Sequence, residues 1–297
     1  MTDVPIEPDP QGDEPAVQLS PSARWAIGIY TGQSPFSLKA PPGLINPVLS
    51  ARNVPDGLGE FVADPFMIRR GDRWFMFFEV LNPQRGLGEI GLAESHDGLN
   101  WRFARIVLRE PFHLSYPCVF EWDGKYYMTP ETLGAGAARL YKASAFPDQW
   151  VIATVMTPGQ QADPTPFRFD DRWWLFTSSP TSSTLRLFLA DDLAGPWREH
   201  PASPMIESNR RMARPAGRTV MWDGKLIRFA QDCYPVYGSA VRAFEIVELS
   251  TTRYVEREFD CSPVFARAND GWNGFGMHHV DAHLRADGSW IACVDGR

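Results

Sequence analysis

DPFMIRRGDRWFMFFE, running from Asp64 to Glu79, holds a short apolar strand, a polar turn containing Gly71, and a second strand dense in aromatic residues. Apolar runs joined by a tight glycine- or aspartate-bearing turn read as a β-hairpin. The same pattern returns four times. It reads YPCVFEWDGKYYMTPE from Tyr116, DPTPFRFDDRWWLFTSS from Asp163, RPAGRTVMWDGKLIRFAQD from Arg214 and HVDAHLRADGSWIACVDG from His279. The motif starts are 52, 47, 51 and 65 residues apart. Internal repetition at this period belongs to repeat architectures.

A second element follows the first three hairpins. It reads IGLAESHDGLNW, LYKASAFPDQW and LFLADDLAGPW, closing at Trp101, Trp150 and Trp197, which lie 37, 34 and 34 residues after the motif starts. That is enough chain for a four-stranded propeller blade. The reading is an all-β fold, a five-bladed β-propeller. The fifth unit stops at Arg297, just after its second strand, and the run from Arg24 to Tyr30 supplies a missing strand. The ring is thus expected to close with an N-terminal strand, leaving only short sheet edges. Residues 1–22 are acidic and proline-rich, with no Lys or Arg, and are expected to be a disordered leader; 23–297 are expected to form one domain. No long amphipathic helix is expected.

Bulk properties agree and exclude several classes. The chain is 44% apolar, 22% charged and 13% aromatic, with 24 Gly and 26 Pro among 297 residues. These are the proportions of a globular, turn-rich protein. A net charge of -7 argues against a nucleic-acid partner. Cys118, Cys233, Cys261 and Cys293 form no CxxC pair, so they read as reduced thiols rather than a zinc ribbon or a disulfide framework. The N-terminus lacks the regions of a signal peptide, and no apolar run is long enough for a membrane span. The expected location is cytoplasmic.

In a propeller the first strand of each blade lines the axis, so the motif starts should ring one mouth. Asp64, Tyr116, Asp163, Arg214 and His279 occupy those starts. Two carboxylates, a phenol, a guanidinium and an imidazole are costly to bury unless paired or hydrated, so the ring is a candidate site. Glu79, Glu131 and the pair Gln231-Asp232 end the second strands and form an outer shell. His113 precedes the second motif and should reach the same mouth. Arg218 is expected on the same strand face as Arg214, because strand side chains alternate. By the same alternation His279, Asp281 and His283 share a face. A metal there and ordinary hydrogen-bonded polar residues both fit the pattern, and the second is the commoner outcome. No cofactor is expected, and a structural calcium on the axis is also left open.

These phrases also carry a resemblance. The blades resemble those of five-bladed arabinanases and β-xylosidases, and more distantly invertases and mannoside phosphorylases; IGLAESHDGLNW and GFGMHHVD followed by ADGSWIACVDG are the similar stretches. FVADPFMI, EPFHLSYPCVFEWDGKYYMTPE, LYKASAFP and ARPAGR resemble, over nearly the whole ordered chain, the N-terminal domain of the plant glucosamine inositolphosphorylceramide transferase family and its bacterial relatives. In the plant family this domain precedes a glycosyltransferase domain. The hydrolase resemblance implies a base at Asp64 and an orienting carboxylate at Asp163. The general acid it implies on blade four should be a Glu, and that place reads Ala213-Arg214-Pro215. An arginine donates no proton at neutral pH. Glu131 then stands as the candidate acid, with Glu79 as the other choice. Arg214 and Arg218 suit an anionic group such as a phosphate or uronate. His113, Tyr116, Asp232 and His279 complete the expected binding set.

Three functions stay open, the third a scaffold whose axis is filled by side chains. The first is an enzyme that cleaves or transfers a glycosyl group, on a carbohydrate or glycolipid of anionic character. The second is a non-catalytic propeller that binds a glycan or lipid head group for a separate glycosyltransferase.

Overall fold

A computed structural model describes residues 24–297 apart from residue 56; the expected disordered leader, 1–22, lies outside the described residues. Five antiparallel sheets form the blades of a ring. Blade one comprises Val62–Arg70, Arg73–Asn82, Leu87–Ser95 and Arg102–Leu108. Blade two comprises Ser115–Trp122, Lys125–Glu131, Ala137–Ala145 and Gln149–Pro158. Blade three comprises Ala162–Phe169, Arg172–Ser178, Leu185–Ala190 and the short Arg198–Glu199. In blade four the inner strand is split into Arg214–Pro215 and Val220–Trp222; Lys225–Asp232, Ala240–Leu249 and Tyr254–Glu258 follow. Blade five pairs Val280–Leu284 with Trp290–Gly296, and Ala26–Gly32 adds the third strand in register from Ala26↔Gly296 to Gly32↔Trp290. The ring therefore closes with the N-terminal strand.

Local chemistry sets the hairpins. Trp122 pairs with Lys125 and Trp222 with Lys225, leaving two-residue loops Asp123-Gly124 and Asp223-Gly224. Both loop residues have positive φ, 50° and 68° in the first and 49° and 72° in the second. That is the turn whose twist matches the flanking strands and which Asp-Gly adopts most readily. The closing tryptophans also repeat. The indoles of Trp101, Trp150 and Trp197 donate to the carbonyls of Gly98, Pro147 and Leu193 at 2.9, 2.9 and 3.1 Å.

The core is divided among the five blade interfaces. Phe66, Phe77 and Leu92 of blade one meet Leu114, Val119 and Tyr141 of blade two. Leu140 and Met156 meet Trp173 and Phe188 between blades two and three. Phe176 and Leu187 meet Leu226 and Ile246 between three and four. Phe229 and Val241 meet Val280 and Trp290 between four and five, and Ile27 and Ile291 meet Met67 and Met76 where the ring closes. Each blade is thus buried on both faces by its neighbours, which explains its near-continuous apolar strands.

Candidate functional site

The first three motif starts share a backbone device. Register shifts fall between Ala63 and Phe66, Ser115 and Cys118, and Ala162 and Thr165. At each bulge Asp64, Tyr116 and Asp163 are left-handed, with φ of 51°, 47° and 48°. A non-glycine residue in this region carries strain on the order of 1 kcal/mol or more, and such strain clusters at functional sites. The bulge frees the residue from ladder pairing and re-aims it towards the axis.

Two buried ionisable clusters face the mouth. The first joins blades one and five. The His278 Nε2 lies 3.3 Å from Asp64 Oδ1, and its Nδ1 lies 2.8 Å from Asp295 Oδ1. Asp295 also accepts the backbone N–H of Asp64 at 3.0 Å and that of His278 at 3.2 Å. All three side chains are buried. Burial raises the Asp64 pKa well above the usual range, and the charges of Asp295, Asp163 and Glu79 add to it while Arg214 opposes. Burial also works against ionisation of Asp295, yet His278 outweighs it and holds that carboxyl low. The imidazole of His278 lies against Trp25 with the rings tilted, centroids 4.1 Å apart, and meets Tyr237 edge-on at 5.2 Å.

The second cluster joins blades two, three and four. Arg214 donates from Nε to Asp163 Oδ2 at 2.6 Å and from Nη2 to Asp163 Oδ1 and Glu131 Oε2, both at 3.2 Å. Its Nη1 donates to Ser182 Oγ at 3.1 Å. Glu131 also accepts the Asp163 N–H at 3.2 Å, and Gln231 Nε2 donates to Asp163 Oδ2 at 2.9 Å. One positive charge therefore serves two carboxyl groups. Burial, followed by the charge of Asp163, pushes the Glu131 pKa up to about 8 against the pull of Arg214. The Tyr237 ring lies 5.4 Å from the Arg214 guanidinium carbon and so stands between the two clusters.

The remaining expected residues separate into three places. Glu79 sits at the mouth beside His113, Nε2 to Oε1 3.1 Å, and Gly88 donates its N–H to His113 Nδ1 at 2.9 Å. That backbone donor fixes the Nδ1 lone pair and turns the imidazole towards Glu79. Tyr116 and His279 lie deeper, fully buried. The Tyr116 hydroxyl is engaged with Thr165 Oγ1 at 2.9 Å and accepts the Gly217 N–H at 2.7 Å, so it ties blades two, three and four. His279 packs edge-on against Phe66 and Tyr116 at 4.6 and 5.4 Å, and burial draws its pKa down to about 4. Asp232 faces away, accepting from Arg242 at 2.7 Å and Arg211 at 3.4 Å.

Arg218 departs from simple strand alternation. Between Pro215 and Val220 the backbone leaves the strand, and Gly217 has φ of 128° with no room for a Cβ, which would fall 1.8 Å from Val280 O. Arg218 therefore drops into the axis, where it pairs with Asp281 and donates to Met67 O at 3.2 Å and Val119 O at 3.1 Å. Asp281 also receives the Met67 N–H at 2.7 Å and faces His283 Nε2 at 2.8 Å. Thus His279, Asp281 and His283 do not converge on one point. A calcium ion on the axis at this level would meet a guanidinium, and calcium prefers six to eight oxygen ligands, so these residues do not fit it. Among the described residues, the set whose ligand atoms do converge, within 4.8 Å of one another, is Asp64, His278 and Asp295.

His278, Asp295 and Tyr237 escaped the sequence reading. Asp295 carried a signal, because it ends the second strand of its blade as Glu79 and Glu131 end theirs. His278 did not, because blade five lacks the bulge before the proline that sets the register of blades one to three.

The fold is a five-bladed β-propeller, and its mouth is a carboxyl-rich axial site. Solved structures of that shape include the catalytic domain of the GH62 α-L-arabinofuranosidase of Coprinopsis cinerea, at 14% identity and TM-score 0.61, covering 94% of this chain and 98% of that one. Zg3597, a family 117 glycoside hydrolase of Zobellia galactanivorans, matches at 14% identity and TM-score 0.55 over 92% and 91%. The sequence is more specific. Residues 18–297 match the family described as glucosamine inositolphosphorylceramide transferase 1, N-terminal, and the chain belongs to that family. Its similar relatives include glucosamine inositolphosphorylceramide transferase 1 of rice (Oryza sativa subsp. japonica), 36% identical, and that of Arabidopsis thaliana, 35% identical. Each match covers 92% of this chain but only 40% and 39% of the relative. Among the described residues no helix is long and apolar enough to cross a membrane.

Proposed function

We propose that the chain cleaves or transfers a glycosyl group at the Asp64 mouth. The observation that carries this reading is the pairing of two differently built proton sites. Asp64 binds a proton tightly and faces His278, which Asp295 orients from behind. Glu131, pushed up to about 8, is largely protonated at neutral pH. General acid–base chemistry needs such a pair, one group to give a proton to the leaving oxygen and one to take a proton from water or an acceptor hydroxyl. Glu131 is assigned the first role. Asp64 is assigned the second: the proton it already holds passes to His278 Nε2, 3.3 Å away, as its carboxyl takes one from the water or acceptor hydroxyl. Arg214 and Gln231 hold Asp163 in place beside them. The family name and the glycosidase-like shape support a glycan as the ligand.

One observation favours a second reading. Arg214 neutralises Asp163 in the place where the resembling hydrolases carry an acid, which suits a propeller that recognises a glycan for a separate glycosyltransferase. Turnover separates the two. Wild type, Asp64→Asn and Glu131→Gln are incubated with a panel of oligosaccharides and glycolipids, and released or transferred sugar is measured by mass spectrometry. The catalytic reading expects product from wild type and at least about a hundredfold less from each variant. Binding without product from any of the three supports recognition alone.

A further inference from the structure

Arg214 and Arg218 are both committed to carboxyl groups of the protein, so neither guanidinium is free for a ligand. A neutral donor at the mouth is free. Tyr237 lies in the loop 233–239, between the second and third strands of blade four. Its ring meets the His278 imidazole edge-on at 5.2 Å and lies 5.4 Å from the Arg214 guanidinium carbon, so it touches both ionisable clusters. The backbone beneath it is held on several sides. Ser239 donates its N–H to Asp232 O at 2.9 Å, which closes the loop. Arg297 Nη2 donates to Tyr237 O at 2.8 Å, and Gly238 O accepts the Met277 N–H at 3.0 Å. A Cβ on Gly238 would fall 2.8 Å from the Trp25 indole, so the loop is pressed against the ring that backs His278. The hydroxyl, by contrast, makes no hydrogen bond among the described residues, although the side chain is half-buried. A phenol in such a place ordinarily finds a partner. Charges of both clusters reach this one. Burial pushes its pKa well above the usual range, Arg214 opposes the rise, and Asp64 and Asp163 add to it.

A neutral O–H that keeps its proton and has no partner in the protein is a ready donor to a sugar oxygen. We propose that Tyr237 is a substrate-binding residue: a sugar ring seated between Asp64 and Glu131 accepts a hydrogen bond from its hydroxyl, which orients the sugar between the two proton sites. This rests on the glycan reading above and adds to it the residue that positions the ring.

Tyr237→Phe deletes the hydroxyl and keeps the ring. Wild type and variant are assayed on the p-nitrophenyl glycosides of glucose, galactose, mannose, xylose and arabinofuranose, and titrated with the parent sugars, reading melting temperature against concentration. Loss of one neutral hydrogen bond to the ligand is expected to weaken binding about three- to tenfold. KM, or Kd where no product forms, should rise by that factor. The loss should fall on KM rather than kcat, because the bond is made in ground state and transition state alike. The unliganded variant should melt within about a degree of wild type, since no hydrogen bond within the protein is lost. The monodeoxy forms of the sugar that binds identify the oxygen: wild type should bind one of them as weakly as Tyr237→Phe binds the parent, and the variant should not tell those two apart. The proposal is overturned if the variant keeps the wild-type KM and Kd, or if its affinity falls only together with a melting temperature several degrees lower, which is the mark of a structural role. Should wild type bind a sugar and turn none over, the catalytic reading fails, and the ratio of the two Kd values decides for or against Tyr237. If nothing binds and nothing is turned over, the proposal and the glycan reading fall together.

Discussion

Replacing Arg214 by Gln removes the one cation that Asp163 and Glu131 share. Both carboxyls are buried, at 1% and 6% exposure, and no other cation lies within ion-pair distance of either among the described residues. Breaking a buried pair by deleting one partner costs about 3–5 kcal/mol. In domains somewhat smaller than this one, each kcal/mol lowers the melting temperature by about 2–4 °C, so a drop of roughly 6 °C or more is expected at pH 7.5. The drop should depend on pH, and its sign is fixed. A carboxyl whose folded pKa lies above its unfolded value binds more protons folded than unfolded, so stability falls as pH rises through that window. For Glu131 the window runs from the ordinary 4.5 to about 8 in the wild type, and loss of Arg214 extends it upward. Arg214→Gln should therefore be nearer wild type at pH 5 than at pH 7.5. Adding Asp163→Asn and Glu131→Gln should restore much of the loss, because a triad removed whole costs far less than a triad broken. Scanning calorimetry from pH 5 to 8 provides the readout. A variant within 2 °C of wild type at pH 7.5, or one that weakens further on acidification, refutes the reasoning.

Other changes have equally definite outcomes. Gly217→Ala places a Cβ against Val280 O at a φ of 128°, so it should yield no stably folded protein by circular dichroism, while alanine at the exposed turn residue Gly124 costs no more than about 1–3 kcal/mol. Asp295→Ala strands the Asp64 and His278 N–H groups and the His278 ring; at about 1–3 kcal/mol per orphaned donor, urea unfolding should show a loss of several kcal/mol. His113 is held above its usual pKa chiefly by its hydrogen bond to Glu79. That stability is fully present below about 6.5 and lost as pH rises through the higher folded value, so His113→Asn should destabilise more at pH 6 than at pH 9 in paired thermal melts.

How legible the molecule was depends on the range of the interaction involved. Asp123-Gly124 and Asp223-Gly224 are two-residue turns whose geometry is written in their own side chains, so the hairpins and the blade count could be read directly. Asp64, Asp163 and Glu131 could be placed at the mouth because the repeat carries them there. What the repeat could not show is which groups pair across the axis. Arg214 meets Glu131 across 83 residues of chain, and the Asp64 N–H meets Asp295 across 231. A pattern of local period carries no information on such contacts. Arg218 shows a second limit. Strand alternation holds only while the strand lasts, and Gly217 ends it, so a residue expected beside Arg214 becomes the plug of the axis. Blade five shows a third, since its inner strand has no bulge and it is His278 that comes nearest to Asp64, at 3.3 Å against 4.0 Å for His279.

The most direct test of the account is a crystal structure of the Glu131→Gln variant with an oligosaccharide or glycolipid that wild type turns over. The account predicts a glycosidic oxygen within hydrogen-bond reach of residue 131, with an adjacent sugar hydroxyl or water at Asp64. A ligand seated away from this mouth, for instance in the cleft of about 500 Å³ bounded by Arg70, Arg73 and Arg105 of blade one and Asp148 of blade two, would contradict it.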